Sequence, residues 1–591
     1  MRRPAESGPR GSTVLTLGTI GVLLAAADTY VVVLALPDLM LGVGLDVDEL
    51  QRAAPLVTMF LLGNVVVLPL AGRVSDVVGR QPVLLGSLLV FAAGSLLTAS
   101  ADGLPGAVAG RFLQGSGGGA LVPVTLALVA DRWPAERRGL PLGVVGAVQE
   151  LGAVLGPLYG ALVLAIADWR AIFWVNLAGG LLLAAGLRAA AVGTASRRTR
   201  DERGGGRDHH TGTGRRDVAG ALLATVAAVT GGVTLIRPSV LESSVMWGGL
   251  VEPVAGNVRW TSPLALMAVA AALAFLWREL TASRPMLDVC RMPDVVRAAD
   301  VPGALLLGVA LGGIVLAFAA ADPAIEMVAP AGPWLLAGSA VSLATFVRWQ
   351  QRVRRPLVPP SAVRATPAWG ALVVSLFVGA ALVAVLVDVP VLVRTVVDGA
   401  SQLDAAFVLV RFLAALPVGA LLGGWLVRSA PPGLITATGM GAAAAGLAAM
   451  STWGVGSMSG WGDDVVLGAT GFGFGLAVAP VNAALLAATP RDSHGIASAL
   501  VVAARMVGML AGLSALTAIG LRRLYAVQAG IESPAVTCPQ RPTDCEPYQA
   551  AVREAVVEQL QVTFAGAAVC AAAAAITAAA LLRRRLEAVP S

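Results

Sequence analysis

The sequence predicts an all-α protein that crosses a membrane many times. Three observations carry this. Of the 591 residues, 57% are hydrophobic and only 13% are charged, against ~25% charged in ordinary soluble domains. The apolar residues gather into sixteen runs, each near the roughly 20 residues that a helix needs to cross a hydrocarbon core. The 69 glycines supply the small surfaces through which membrane helices approach one another.

The runs fall at 13–37, 53–71, 83–101, 107–130, 140–166, 171–190, 218–236, 262–277, 301–321, 333–348, 368–392, 404–427, 433–453, 465–488, 496–520 and 560–583. Sixteen is the expected count of spans, with fourteen as the alternative. An even number puts both termini on one side. The first run is too long for a cleavable signal peptide and contains Asp28, so it reads as the first span.

Charge sets the side. All 42 basic residues are arginine. Arg2, Arg3 and Arg10 precede the first span; Arg73 and Arg80 follow the second; Arg132, Arg137 and Arg138 follow the fourth. The intervening loops near 38–52, 102–106 and 167–170 hold only Arg52 and Arg170. This bias predicts cytoplasmic termini in an inner (plasma) membrane. It also excludes a nucleic-acid partner, because the arginines sit in short loops between spans.

The segment 191–217 is polar, glycine-rich and charged, and reads as a cytoplasmic linker. His209 and His210 lie in it and are expected to be solvated rather than metal-bound. The chain therefore divides into a six-helix bundle (1–190), the linker, a central insertion of two helical hairpins (218–364) and a second six-helix bundle (365–591) with a periplasmic segment at 521–561. A weak repeat marks the insertion: Val218-Ala-Gly-Ala-Leu-Leu is similar to Val301-Pro-Gly-Ala-Leu-Leu.

Four groups of residues carry the chemistry. Gly72-Arg-Val-Ser-Asp76-Val-Val-Gly79-Arg80 fills the loop expected after the second span. Its glycines allow tight turns and close contact, and Asp76 can cap a helix start and pair with an arginine across the domain. Arg111 opens the fourth span in Arg111-Phe-Leu-Gln-Gly, where it either snorkels or serves the transport chemistry. Gly146, Gly152, Gly156, Pro157 and Gly160 give the fifth span a smooth face and a kink. Finally, ionisable groups within spans are costly, and so become functional candidates. Asp28, Glu150 and Arg505 lead these. Glu150 and Arg505 each lie about ten residues, or ~15 Å, from a cytoplasmic helix end, near the midplane and able to face one another. Pairing favours the charged carboxylate and desolvation the protonated one, which suits proton coupling. Asp388 and Arg411 are secondary candidates nearer the outer side.

The loop at Gly72–Arg80 resembles the best-known signature of the major facilitator superfamily. That resemblance implies a major facilitator fold of two six-helix bundles with extra central helices, and makes Gly72, Asp76, Gly79 and Arg80 a conformational lock. Arg111 then matches the arginine linked to proton transfer, and the string Gly146-Ala-Val-Gln-Glu-Leu-Gly-Ala-Val-Leu-Gly-Pro157-Leu-Tyr-Gly160 resembles the motif that marks antiporters. The broader likeness is to the fourteen-span drug:proton antiporters. Asp28-Thr-Tyr-Val-Val-Val, Leu386-Val-Asp388-Val and His494-Gly-Ile-Ala-Ser-Ala-Leu-Val-Val-Ala-Ala-Arg505 bring it nearer to the mycobacterial exporters of triacylglycerol and lipoglycan that work with a lipid-carrying lipoprotein. The implied function is proton-coupled export of a lipophilic substrate, a lipid such as triacylglycerol or a hydrophobic drug, with Asp28, Glu150 and Arg505 as coupling set. Membrane lipids and a periplasmic lipoprotein are the implied partners, and the proton gradient replaces any cofactor. Two departures stand out: the extra hairpin, and Tyr30 and Val33 where the drug antiporters carry Thr and Asn, which weighs against a drug.

Other classes fit less well. General multidrug antiport is the alternative transport function. A lipid-processing membrane enzyme needs a carboxylate or metal cluster beside the headgroups. The acidic pairs Asp48-Glu49 and Asp463-Asp464 have no histidine or cysteine beside them, and no metal ligand set is expected. A non-transporting scaffold would tolerate neutral residues at positions 28, 150 and 505. Without lysine there is no phosphate-binding loop of an ATP-driven pump. Cys538 and Cys545 fall in the periplasmic segment, an oxidising compartment, so a disulfide is expected there.

Overall fold

Backbone amides in hydrocarbon must find partners within their own segment, which makes the helix the default for apolar runs. In the computed structural model a helix forms over each of the sixteen. The structure describes residues 9–45, 50–53, 55–203, 218–236, 248–250, 252, 254, 262–281, 299–319, 329–397, 402–458, 460–539 and 545–582. Numbering only the long helices, the first bundle is α1 (Pro9–Gly42), α2 (Pro55–Val78), α3 (Arg80–Ala99), α4 (Leu104–Arg132), α5 (Gly139–Ile166) and α6 (Trp169–Arg203). The central helices are α7 (Val218–Ile236), α8 (Pro263–Thr281), α9 (Val301–Ala319) and α10 (Gly332–Arg352). The second bundle is α11 (Thr366–Val396), α12 (Gln402–Leu426), α13 (Pro432–Met450), α14 (Trp461–Ala487), α15 (His494–Gln528) and α16 (Glu546–Leu581).

Thirteen helices among the described residues are long and apolar enough to cross a membrane, and the protein is a multi-pass membrane protein. The other three are central. α7 and α8 contribute only the shorter apolar stretches Thr225–Thr234 and Pro263–Phe275, and α10 carries Arg348 and Arg352 in its last turns.

Alternate helices reverse direction. The start of α1 and the end of α16 therefore lie together, at what is called here the terminal end; the opposite end is the far end. The two bundles meet reciprocally, α2 against α15 and α5 against α12, the second helix of each on the fifth of the other. Their closest approaches are at the terminal end, where Gly139 meets the Gly424 backbone and Gly72 meets Gly495. Farther along α5, Gly152 and Gly156 pack against the α1 backbone at Leu23 and Ala27 instead, and Leu162 and Ile166 are exposed. The interface between the bundles thus closes at the terminal end.

The two central hairpins, α7–α8 and α9–α10, differ in anchorage. α9 lies along α2 and touches α15, whereas α7 grazes α3. Asp300 ties the second hairpin together. Its carboxylate accepts from Trp349 Nε1 at 2.8 Å, Gln350 Nε2 at 2.7 Å, the Leu357 amide at 2.9 Å and the Gly303 amide at 3.2 Å. Around it, Leu307, Phe346 and Leu357 pack with Ile496 of α15.

Several sequence expectations shift. The segment Gly72–Asp76 is not a loop: it forms the last turns of α2, and Gly79 alone joins α2 to α3. A φ of 105° at Gly79 makes that one-residue turn, a conformation that side chains disfavour. The linker was expected from residue 191, but α6 continues to Arg203, because its Ala, Arg and Glu favour helix beyond the membrane. Residues 204–217, with His209 and His210, lie outside the described residues, as do Asp48 and Glu49. α15 and α16 have 35 and 36 residues, or ~53 Å each, well beyond a ~30 Å core. Their overrun at the far end is joined by an Arg523–Glu558 ion pair at 2.7 Å and flanked by a Cys538–Cys545 disulfide.

Candidate functional site

The polar side chains gather at three levels. In the first bundle, Arg111 of α4 and Asp28 of α1 are each 1% exposed. Arg111 Nη1 donates to Asp28 Oδ2 at 2.8 Å and to Gln114 Oε1 at 2.7 Å, while its Nε reaches the Leu56 carbonyl at 3.2 Å. Asp28 Oδ1 also accepts from Asn176 Nδ2 at 2.6 Å and Gln114 Nε2 at 2.9 Å. The Phe60 ring lies 4.2 Å below the guanidinium. Arg111 does not snorkel. It is the centre of a buried network in which its Nε and Nη1 and both Asp28 oxygens are hydrogen-bonded, a pairing that offsets the cost of burying such charges.

Between the bundles, Arg505 of α15 approaches Glu150 of α5, Nη1 to Oε1 at 3.8 Å. Both side chains are mostly buried. Beside them lies a cavity of about 30 Å³ lined by Gln149, Ser375, Asn482 and Arg505 among apolar side chains. The expected trio therefore separates. Glu150 and Arg505 form one pair across the bundles, and Asp28 bonds within the first bundle instead, because Arg111, Gln114 and Asn176 surround it.

At the terminal end, Asp76 reaches across the interface. Its carboxylate accepts from the Gly495 amide at 2.9 Å and the Ile496 amide at 3.1 Å, two of the unpaired donors at the start of α15. A carboxylate is favoured there by the helix dipole. The arginine partner of Asp76 is Arg80, one turn away rather than across the domain, at 2.5 Å. Arg80 extends the grip to Ser75 Oγ at 2.7 Å and Asp131 Oδ2 at 2.8 Å. His494 Nδ1 stands 3.5 Å from Asp131. Arg138 adds a second crossing, from Nη1 to the Leu486 carbonyl at 3.3 Å. Burial, and then the like charge of Arg491, pull the Arg138 guanidinium below its usual pKa.

The remaining candidates divide. Gly146 lies against Val478 of α14 and Gly160 is buried within α5, which contains Pro157. Asp388 is buried on α11 and has no hydrogen-bond or ion-pair partner among the described residues. Arg411 departs from the expected buried charge: it is about half exposed and pairs with Asp464 in the first turn of α14, at the rim of the far end. Sequence reasoning did not single out Gln114, Asn176, Asp131 or the α15 amides. The first two were visible as polar residues in apolar helices; the others become partners only through packing.

Residues 18–513 match the family model for the Major Facilitator Superfamily. The chain is 36% identical over 520 residues to the triacylglyceride transporter of Mycolicibacterium hassiacum, covering 86% of this chain and 79% of that one. It is 33% identical over 536 residues to the triacylglyceride transporter of Mycobacterium tuberculosis H37Rv, covering 88% and 84%. Among solved structures, the human organic anion transporter MFSD10 aligns with a TM-score of 0.51 at 14% identity, covering 95% of this chain and 100% of that one. This last likeness concerns the fold alone.

Proposed function

Because the chain belongs to the Major Facilitator Superfamily, and is a membrane transporter rather than an enzyme, we propose that it exports a lipophilic substrate in exchange for protons by alternating access. The substrate class is acylglycerol, the class named for its mycobacterial relatives. In this reading the protein sits in the inner membrane with both termini cytoplasmic, so the terminal end is the cytoplasmic gate and the far end faces the periplasm.

One observation carries the coupling: among the described residues a single carboxylate–guanidinium pair, Glu150–Arg505, bridges the two bundles between the closed gate and the far end. A charged Glu150 holds Arg505, and with it the two bundles, together. A proton arriving from the far side neutralises Glu150 and frees Arg505. The bundles then part at the terminal end, where Asp76 leaves the α15 amides. Release of the proton to the cytoplasm and uptake of lipid restore the pair and reclose the gate. Asp28 and Arg111 form a second proton-responsive pair inside the first bundle, which keeps the α1–α4 contact sensitive to charge. Lipid leaving the far end is received along the overrunning α15 and α16, where a periplasmic lipid-carrying lipoprotein docks.

The test is efflux from proteoliposomes. A fluorescent triglyceride and a cationic dye are compared, with and without a proton gradient, in the wild type and in Asp28→Asn and Glu150→Gln. Gradient-driven triglyceride efflux that both variants lose supports the reading. Dye efflux alone replaces it with general multidrug antiport.

A further inference from the structure

Five arginines, Arg348, Arg352, Arg354, Arg355 and Arg364, end α10 and fill the connection to α11. No aspartate or glutamate falls between Glu326 and Asp388 to balance them. All five are exposed, and none makes a hydrogen bond or ion pair among the described residues. Arg80 and Arg138, at the same terminal end, are spent on protein partners instead. The carboxylate folded against the segment, Asp300, is 3% exposed and bonded to neutral donors. Exposed apolar surface continues from the charge. Val341, Leu343 and Val347 stand out of α10 just deeper along the helix, and Trp349 is exposed among the arginines, a side chain favoured at the headgroup level of a bilayer. Guanidinium groups beside an apolar helix surface match both halves of an anionic phospholipid, the headgroup and the acyl chain. A soluble phosphate would use only the first.

The same segment reaches the gate. Leu357 packs with Ile496, whose amide donates to Asp76 at 3.1 Å. Thr489 Oγ1, in the connection leading into α15, lies 3.4 Å from the Ala362 carbonyl. The hairpin is also seated on α2, where Gly308 and Gly312 of α9 meet Val66 and Leu62. It therefore clasps α2 of the first bundle and α15 of the second, at the end where those helices must part for the gate to open. We infer that an anionic phospholipid headgroup binds the arginines of segment 348–364 and, by fixing that segment against α15, holds the terminal gate closed. The inference goes beyond the proposed transport cycle and does not depend on it. Each arginine close to an anionic surface strengthens binding about fivefold.

The experiment places the full chain in nanodiscs of phosphatidylcholine, with and without phosphatidylglycerol. Spin-label distances between positions 137 and 428 read the gate, and native mass spectrometry reads phosphatidylglycerol retained in preference to phosphatidylcholine. Phosphatidylglycerol should shift the wild-type distances toward the short, closed population. Combining Arg348→Gln, Arg352→Gln, Arg354→Gln, Arg355→Gln and Arg364→Gln should weaken its retention by at least about tenfold and abolish the shift. Glycerol 3-phosphate in solution, added to phosphatidylcholine nanodiscs, should leave the distances unchanged. Wild-type distances indifferent to phosphatidylglycerol, an equal shift in the five-site variant, or the same shift with glycerol 3-phosphate overturns the inference. The wild-type comparison needs no variant, so a misfolded variant does not rescue the idea. Neither readout involves transport, and nanodiscs offer the lipid at both faces, so failure of the export reading or of its orientation leaves this test intact.

Discussion

Gly72 of α2 and Gly495 of α15 meet backbone to backbone across the two bundles: a methyl group on Gly72 would stand 2.6 Å from the Gly495 carbonyl oxygen. The closed terminal end is thus built on the absence of side chains, with the Asp76 carboxylate bonded to the amides beside it. Overpacking at such a contact costs about 1–3 kcal/mol. That cost falls on the closed state only, since the contact exists only when the bundles meet. Gly72→Ala is expected to slow transport several-fold and Gly72→Leu to abolish it, while thermal stability in detergent changes little. Efflux rates together with melting curves check this.

Asp76→Ala removes the acceptor for two helix-start amides and leaves Arg80 with Asp131 and the Ser75 hydroxyl. Charge-assisted hydrogen bonds contribute ~1.5–3 kcal/mol, so the closed gate should lose between tenfold and a hundredfold in population. Spin-label distances between positions 137 and 428, at the starts and ends of α5 and α12, should lengthen in the variant. Unchanged distances would mean that the glycine contacts hold the gate by themselves.

Arg111→Leu strands Asp28 in the first bundle. Breaking a buried pair costs about 3–5 kcal/mol, and the variant should melt well below the wild type. Asp28→Leu combined with Arg111→Leu should recover most of that stability, because no charge is left uncompensated. The double variant should still fail to transport. Recovery of stability without recovery of efflux separates the structural part of the pair from its part in coupling.

Much of this was legible in the sequence, for physical reasons that differ by level. Spans appear in the sequence because each must be apolar along its whole length. Glu150 and Arg505 stood out because a charge in a span has few explanations. The partners did not. Helices apolar on every side carry no amphipathic stripe to say which face meets which neighbour, so Asp28 bonding to Arg111 rather than joining the Glu150–Arg505 pair is a packing outcome. The Gly72–Asp76 segment was read as a loop because glycine and charge usually mark one, yet the one-residue turn at Gly79 leaves it helical. Asp131 and His494 reach the gate through tertiary contact alone.

Asp300 makes a fourth prediction. Its carboxylate takes bonds from Trp349, Gln350 and the Leu357 and Gly303 amides, so Asp300→Ala leaves four donors unpaired at once. The α9–α10 hairpin should loosen from α2 and α15. Amide exchange should rise across Val301–Ala319 and Gly332–Arg352, with the first bundle unaffected. Protection equal to the wild type would show that the apolar contacts around Phe346 suffice.

The central claim is that Glu150 carries the coupled proton while paired with Arg505. The most direct measurement is efflux of the fluorescent lipid from proteoliposomes against its own gradient, driven by an imposed pH difference, in the wild type and in Glu150→Gln. Uphill, gradient-dependent efflux is expected in the wild type, and only downhill movement, indifferent to pH difference, in the variant. Uphill efflux retained in Glu150→Gln, or wild-type transport that ignores the proton gradient, would contradict it.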